Sequence, residues 1–208
     1  MSRKQDRVLM AKEICKAAKL YKEHLVGKKF LYVFEGRYIE VIYKADNFRH
    51  LTGVDTSLSA KDFYKYANHN KLQAKQIYFS AVHPFSLCKR KIKHICEIAT
   101  LASSENFMLE EIQTDSKTYK FGTTDLKFSL CMNREKDEQG NYKSECYIVQ
   151  SLRDEYCFSK SKTAYEVSYI LVKQNDEKKY KDVLYKGNNF SMEELPDEIK
   201  QMIVEIKE

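Results

Sequence analysis

The hydrophobic period changes close to residue 104, and that change limits what the chain can fold into. Upstream, apolar residues recur every three or four positions: Val8, Ala11, Ile14, Cys15, Ala18, Tyr21 and Leu25 form one stripe that ends at Gly27. Downstream, the spacing predicts short β-branched or aromatic strands: Phe107 to Ile112, Thr118 to Phe121, Leu126 to Asn133, Glu145 to Ser151, Tyr165 to Lys173 and Tyr180 to Tyr185. Turn residues Gly122, Gly140-Asn141 and Asn175-Asp176 separate them, and the short connections favour antiparallel pairing. Arg134 to Lys143 reads as an exposed hairpin tip. Helices first and a strand meander second predict an α+β fold.

The first half also holds two strand-like runs, Phe30 to Phe34 and Tyr38 to Lys44, joined at Glu35-Gly36 as a hairpin. A loop from Asp46 to Thr56 follows. Ser59 with Asp62 resembles a capping box opening a helix to about Ala67, and a second short helix is expected near Leu72 to Phe79. Pro84 introduces a basic helix running to about Ser103, with Cys88, Ile92, Ile95, Cys96 and Ala99 on its buried side. At the C-terminus Ser191 caps a helix with Pro196 early and a stripe of Ile199, Met202, Ile203 and Ile206. The expected organisation is one α+β domain over residues 1–190, with N-terminal helices and a hairpin packed on a largely antiparallel sheet, and a helical appendage over 191–208.

The 208 residues are 43% hydrophobic and 12% aromatic, enough for a packed core rather than disorder. No apolar run approaches the length of a membrane span, and the N-terminal stretch has no apolar core ahead of a cleavage site, so a cytoplasmic chain without membrane contact is expected. No pair of the six cysteines has CxxC spacing, and Cys88, His94 and Cys96 do not share a helix face as metal ligands would. Reduced, buried thiols and no cofactor are the expectation.

The formal net charge of +6 is unevenly placed. Residues 1–100 hold 20 Lys and Arg against 9 Asp and Glu, a net of +11, whereas residues 101–208 hold 16 against 21, a net of −5. The densest stretch is Lys89, Arg90, Lys91, Lys93 and His94, with Glu97 the one acidic residue between Lys71 and Ser104. Such a stretch is either a solvated helix face or a phosphate-contacting one, and the scarcity of nearby acids favours the second.

The segment Asn47-Phe48-Arg49-His50-Leu51-Thr52-Gly53 is the most suggestive for chemistry. His50 could shuttle a proton near neutrality, and Arg49 could hold a phosphate with two hydrogen bonds. The competing reading has His50 bonding a loop backbone while Leu51 fills the core. Thr52 either orients phosphate or stabilises its own turn. The remaining histidines are weaker: His83 before Pro84 reads as a turn residue, His24 and His69 lie in polar helical ends, and His94 shares the basic face.

An aromatic hairpin, then NFRHLTGV, then a helix opening KDFY, then a Lys-rich helix resembles a group of phage-associated nucleases in the barnase/EndoU/colicin/RelE-like superfamily. The stretches Phe121 to Leu126, Tyr147 to Leu152 and Tyr165 to Lys173 are similar to that group's later segments, and the likeness runs from about Leu9 to Tyr185. The resemblance implies helices packed on an antiparallel sheet and metal-independent RNA cleavage: the ribose 2′-OH attacks the adjacent phosphate, leaving a 2′,3′-cyclic phosphate. It implies a phage-encoded or toxin-like protein with His50, Arg49, Ser151 and Lys173 as the catalytic candidates. Ser151 matches the family's Ser, although no proline accompanies it here, and Lys173 could stabilise the phosphorane. Thr52, Lys89, Arg90, Lys93 and His94 are the substrate-binding candidates. RNA in single-stranded or looped form is the expected partner, and a neutralising protein a possible one. The alternatives are a non-catalytic nucleic-acid-binding module and an interaction protein whose acidic C-terminal helix meets a basic partner.

Overall fold

Glu35 and Gly36 both adopt positive φ (47° and 67°), the turn geometry that matches the right-handed twist of its flanking strands. They join β1 (Lys28–Phe34) to β2 (Arg37–Ile42) in the tight register Phe34↔Arg37. A computed structural model describes residues 3–115, 117–188 and 190–204 of the chain. It carries α1 (Arg3–His24) before this hairpin, and after it α2 (Phe48–Thr52), β3 (Asp55–Thr56), α3 (Ala60–Asn68), β4 (Ile77–Tyr78) and α4 (Phe85–Leu101). The second half supplies β5 (Phe107–Gln113), β6 (Thr118–Thr124), β7 (Ser129–Lys136), β8 (Tyr142–Arg153), β9 (Thr163–Glu166), β10 (Tyr169–Gln174) and β11 (Asp182–Lys186), then α5 (Asp197–Gln201). The fold is α+β. One nine-stranded sheet runs β11-β10-β1-β2-β8-β7-β6-β5-β9, all antiparallel but for β2 beside β8, and β3 pairs with β4 separately.

Several expectations need correction. The predicted strand Tyr165 to Lys173 is two strands, broken at Val167-Ser168, because both residues are buried and their amides leave the ladder: Val167 donates to Asn106 O and Ser168 to Val33 O. The predicted helix near Leu72 to Phe79 is a 3-10 turn, Ala74–Gln76, followed by β4, as Ile77 and Tyr78 pair with Thr56 and Asp55. The loop after β2 contains a 3-10 turn, Ala45–Asn47, and α2, too short for periodicity to declare it. Ser191 caps only a 3-10 turn, and the helix proper spans Asp197–Gln201. The side chain of Ala99 and residue Ile206 lie outside the described residues. Ser59 caps the helix, its hydroxyl accepting from the Asp62 amide at 3.1 Å, but the Asp62 carboxylate accepts from that same hydroxyl (2.7 Å) and not from the Ser59 amide, so the expected box is a simple N-cap.

β9 and β10 stand at distant positions in the strand order yet are joined by two residues, so the sheet must curl until its two ends meet. The meeting point is visible in side chains. Phe34 stacks on Tyr165 (5.7 Å) and packs edge-on against Phe121 (5.9 Å), while Arg37 of β2 bonds Glu110 of β5 at 2.9 Å. The concave face buries Phe30, Tyr32, Met108, Leu130 and Met132 in one core, with the inner faces of α1, α3 and α4 packed into it. On the convex side the C-terminal segment covers β1 and β10 through Leu195, Ile199, Ile203 and Tyr180, and a smaller cluster lies under Cys157 and Phe158. Among the described residues no helix is long and apolar enough to cross a membrane. All six cysteines are free, and all but Cys96 are buried.

Phe48 ties α2 to this core, its ring 5.2 Å from Tyr21 of α1 and 5.4 Å from Tyr64 of α3. Phe48→Ala should therefore cost about 3–5 kcal/mol in a urea titration, the range for deleting a fully buried aromatic ring.

Candidate active site

The parallel pairing of β2 with β8 lasts for only two residue pairs, Val41↔Tyr147 and Ile42↔Ile148, after which β2 turns away and leaves the following edge of β8 without a strand partner. The segment after β2 takes its place. Asn47 donates its side-chain amide to Val149 O at 2.8 Å, and α2 packs against β8 on one side and α4 on the other. Phe48, Leu51 and Thr52 face inward and are fully buried, so Arg49 and His50 are left on the outward side.

α2 ends at Gly53, whose φ of +71° is the left-handed cap that glycine adopts without strain. The Cys88 thiol donates to Gly53 O (3.3 Å), and the Lys91 stem runs directly over the glycine. A Cβ at position 53 would lie 3.0 Å from Lys91 Cδ and 3.6 Å from its Nζ. The Cys88 sulfur also lies 3.7 Å from His83 O, so one thiol links the Gly53 turn to the segment carrying His83. His83 Nδ1 in turn bonds Asp55 Oδ1 at 2.8 Å, two residues beyond the turn. Asp55 is held below the ordinary carboxylate range, since bonds from Ser80 and His83 outweigh its burial.

His50 is exposed, and among the described residues its ring makes no hydrogen bond. Its pKa is lowered, first by desolvation against the surrounding chain and second by the Arg49 cation beside it. An imidazole in that state is neutral, and so able to accept a proton, over more of the pH range than an ordinary one. Arg49 is half-buried and spends one N–H on Leu58 O at 3.4 Å, with its other donors uncommitted among the described residues.

The remaining sequence candidates separate. Thr52 is fully buried and its hydroxyl donates to Arg49 O (2.7 Å) while accepting from Val54 N (3.3 Å), so it closes the turn. Ser151 pairs with Cys131, and both face away from the helices, since Leu130 and Leu152 between them face the helical core. Lys173 belongs to β10, three strands from β8 or about 14 Å at the usual strand spacing. Its Nζ donates to Lys178 O (2.9 Å) over the Tyr180 ring on the convex face, so it is not joined to α2. On α4, Arg90 bonds Asp154, and His94 has one ring nitrogen 2.8 Å from Asp154 and the other 3.1 Å from Glu97. Both ring nitrogens of His94 are thus engaged, whereas Arg90 is exposed and, among the described residues, commits its Nε alone. Lys89 and Lys93 are exposed, and they flank a groove of about 420 Å³ against α1, on a different side of the helix from Lys91. Among the described residues no group of three His, Cys, Asp or Glu could hold a metal ion.

The family model described as phage-Barnase-EndoU-ColicinE5/D-RelE like nuclease 4 matches residues 13–189. The chain belongs to that nuclease family. The match spans α1 to the segment after β11 and includes α2, Gly53 and α4, so the cluster around α2 lies within the part that defines the family. No curated protein and no solved structure matches the chain. A nuclease acts on nucleic acid. Among the residues that sequence reasoning did not place in the site, Lys91, Asp55 and His83 adjoin the Gly53 turn at the end of the helix that carries His50, and Arg153 ends β8. Only the density of charge at Lys91 hinted at any of them.

Gly53 serves both the left-handed cap and the passage of Lys91. Gly53→Ala should lower stability by about 1–2 kcal/mol from the backbone alone. Because Lys91 must also shift, nuclease activity is expected to fall further than that loss explains, which assays on protein shown to be fully folded will reveal.

Proposed function

We propose that the protein is an endoribonuclease that cleaves RNA by attack of the ribose 2′-OH on the adjacent phosphate, with His50 as the base. The observation that carries this reading is the exposed, unbonded imidazole of His50, its pKa lowered, on a short helix wedged between the unpaired edge of β8 and the basic helix α4. The reaction needs a base for the 2′-OH, an acid for the departing 5′ oxygen and donors for the charge on phosphorus. His50 takes the 2′ proton. Arg49 turns its uncommitted N–H groups to the phosphate. His83 returns a proton to the leaving oxygen through Nε2, its other nitrogen being bonded to Asp55. The products are a 2′,3′-cyclic phosphate and a 5′-hydroxyl.

The test is incubation of RNA with the purified protein in EDTA, with end-group analysis of the products. Cyclic phosphate termini are expected, and none from a substrate carrying 2′-deoxyribose at the cut position. His50→Ala should slow cleavage by about 10²–10⁴-fold, the usual contribution of a positioned base. Binding without turnover, or cleavage that His50→Ala leaves untouched, would overturn the reading and favour a nucleic-acid-binding module of the same fold.

The sign of the pH dependence follows from His50. The neutral form is the active base, so kcat/KM should rise with pH through a midpoint below about 6.5, the ordinary imidazole value. Arg49→Gln removes one of the two causes of the lowered value and should move the His50 midpoint upward, read by NMR titration of the ring protons.

A further inference from the structure

Lys91 and Arg153 belong to different layers of the fold. Lys91 comes from α4, crosses Gly53 and is half-buried, while Arg153 stands at the end of β8 in register with Ser129, beside the edge that β2 has left. Asp154, the residue after Arg153, bonds Arg90 and His94 on either side of Lys91 along α4, which draws the end of β8 to this part of the helix. Lys91 is pushed to a lower pKa first by burial and second by the Arg153 charge. Among the described residues neither forms an ion pair with a carboxylate within 4 Å. The carboxylate that Lys91 senses, Asp154, is already engaged by Arg90 and His94. Arg153 Nε is buried with no hydrogen-bond partner.

Two half-buried cations within electrostatic reach of one another, one with an orphaned buried donor, are an arrangement that folding alone does not favour. An anion between them would satisfy the donor, offset the repulsion and raise the Lys91 pKa again. We propose that Lys91 and Arg153 form a phosphate site for the polynucleotide backbone, at the gap between α2 and the free edge of β8. Arg153 offers a planar fork and Lys91 a movable point charge, a pairing suited to a phosphodiester held beside the Gly53 turn. The site deepens the proposed RNA cleavage by naming what holds the phosphate near His50, yet binding at it does not require turnover.

The probe is a 2′-O-methyl oligoribonucleotide, which lacks the attacking hydroxyl, bound to the full chain and followed by fluorescence anisotropy across a salt series. Lys91→Met and Arg153→Met are each expected to weaken binding about tenfold, a charge-assisted bond's share, and to reduce the salt slope by roughly 0.7. Arg153→Lys should recover most of the slope, and it covers the case in which Arg153→Met does not fold. A purely structural role predicts a lower melting temperature for Lys91→Met. The anion site predicts one equal to or above that of the natural protein, because a repulsion is removed. Wild-type binding and slope in folded Lys91→Met, or no binding by the natural protein, would overturn the site. Binding that depends on Lys91 in a protein that never cleaves RNA would uphold the site while refuting the nuclease reading, so the two fail separately.

Discussion

Two residues, Val167 and Ser168, connect strands that lie far apart in a nine-stranded sheet, and much of the structure follows from that short link. Ser168 gives both its amide and its hydroxyl to Val33 O, and its own carbonyl accepts from Gly187, so the link is bonded on every side. The curl it enforces makes a concave face that only helices can line, which is why the apolar stripes of α1, α3 and α4 converge with the inner strand residues in one core. A curled sheet must also relax its pairing somewhere. The parallel contact of β2 with β8, two residue pairs long, is the weakest join between neighbouring long strands, and α2 is inserted where it ends. The position of His50 is thus a consequence of sheet closure as much as of its own local sequence.

What the sequence makes legible is what local physics decides. The hairpin at Glu35-Gly36, the Ser59 cap and the amphipathic runs of α1 and α4 all form because residues within a few positions of one another agree. The failures share a cause in tertiary pairing. Tyr165 to Lys173 is continuous in β propensity, and only the buried partners Asn106 and Val33 break it; Leu72 to Phe79 has helical spacing, and only Asp55-Thr56 draws Ile77 and Tyr78 into a strand. The outward placement of His50 and Arg49 was legible because a polar pair in a segment after a strand, flanked by apolar Phe48 and Leu51, turns to the surface as those two turn inward. Ser151 and Lys173 were drawn from the same resemblance, but strand parity turns both toward the face away from the helices. No local pattern could announce that a lysine from α4 and an arginine from β8 meet, since 62 positions of sequence separate Lys91 from Arg153.

The charge asymmetry was real in sequence and has a different meaning in space. Half the chain carries +11, yet α4 does not display one basic face. Arg90 and His94 bind Asp154 from the acidic half, Lys93 lies 3.8 Å from Glu97, and Lys89 and Lys93 look toward α1. An exposed pair such as Lys93 with Glu97 contributes little to stability, and is better understood as placing charge than as holding the fold. Asp154 is instructive here. By engaging Arg90 and His94 it is itself unavailable to Lys91, the half-buried lysine of this helix.

That placement of Lys91 runs against what packing alone would favour. A half-buried lysine within electrostatic reach of an arginine raises the free energy of the folded state, and a glycine at position 53 is needed to let its stem pass. Natural chains tolerate such conflicts where activity depends on them and make up the deficit in the surrounding structure. Here the compensation is visible: the aromatic cluster around Phe48, the Asn47 bond to Val149 and the Cys88 bond to Gly53 fix α2 from three directions. A helix of five residues has no stability of its own, so its rigidity is borrowed from these contacts. The side chains it presents are therefore held by the core, while the cations beside it are kept from relaxing into one another's space.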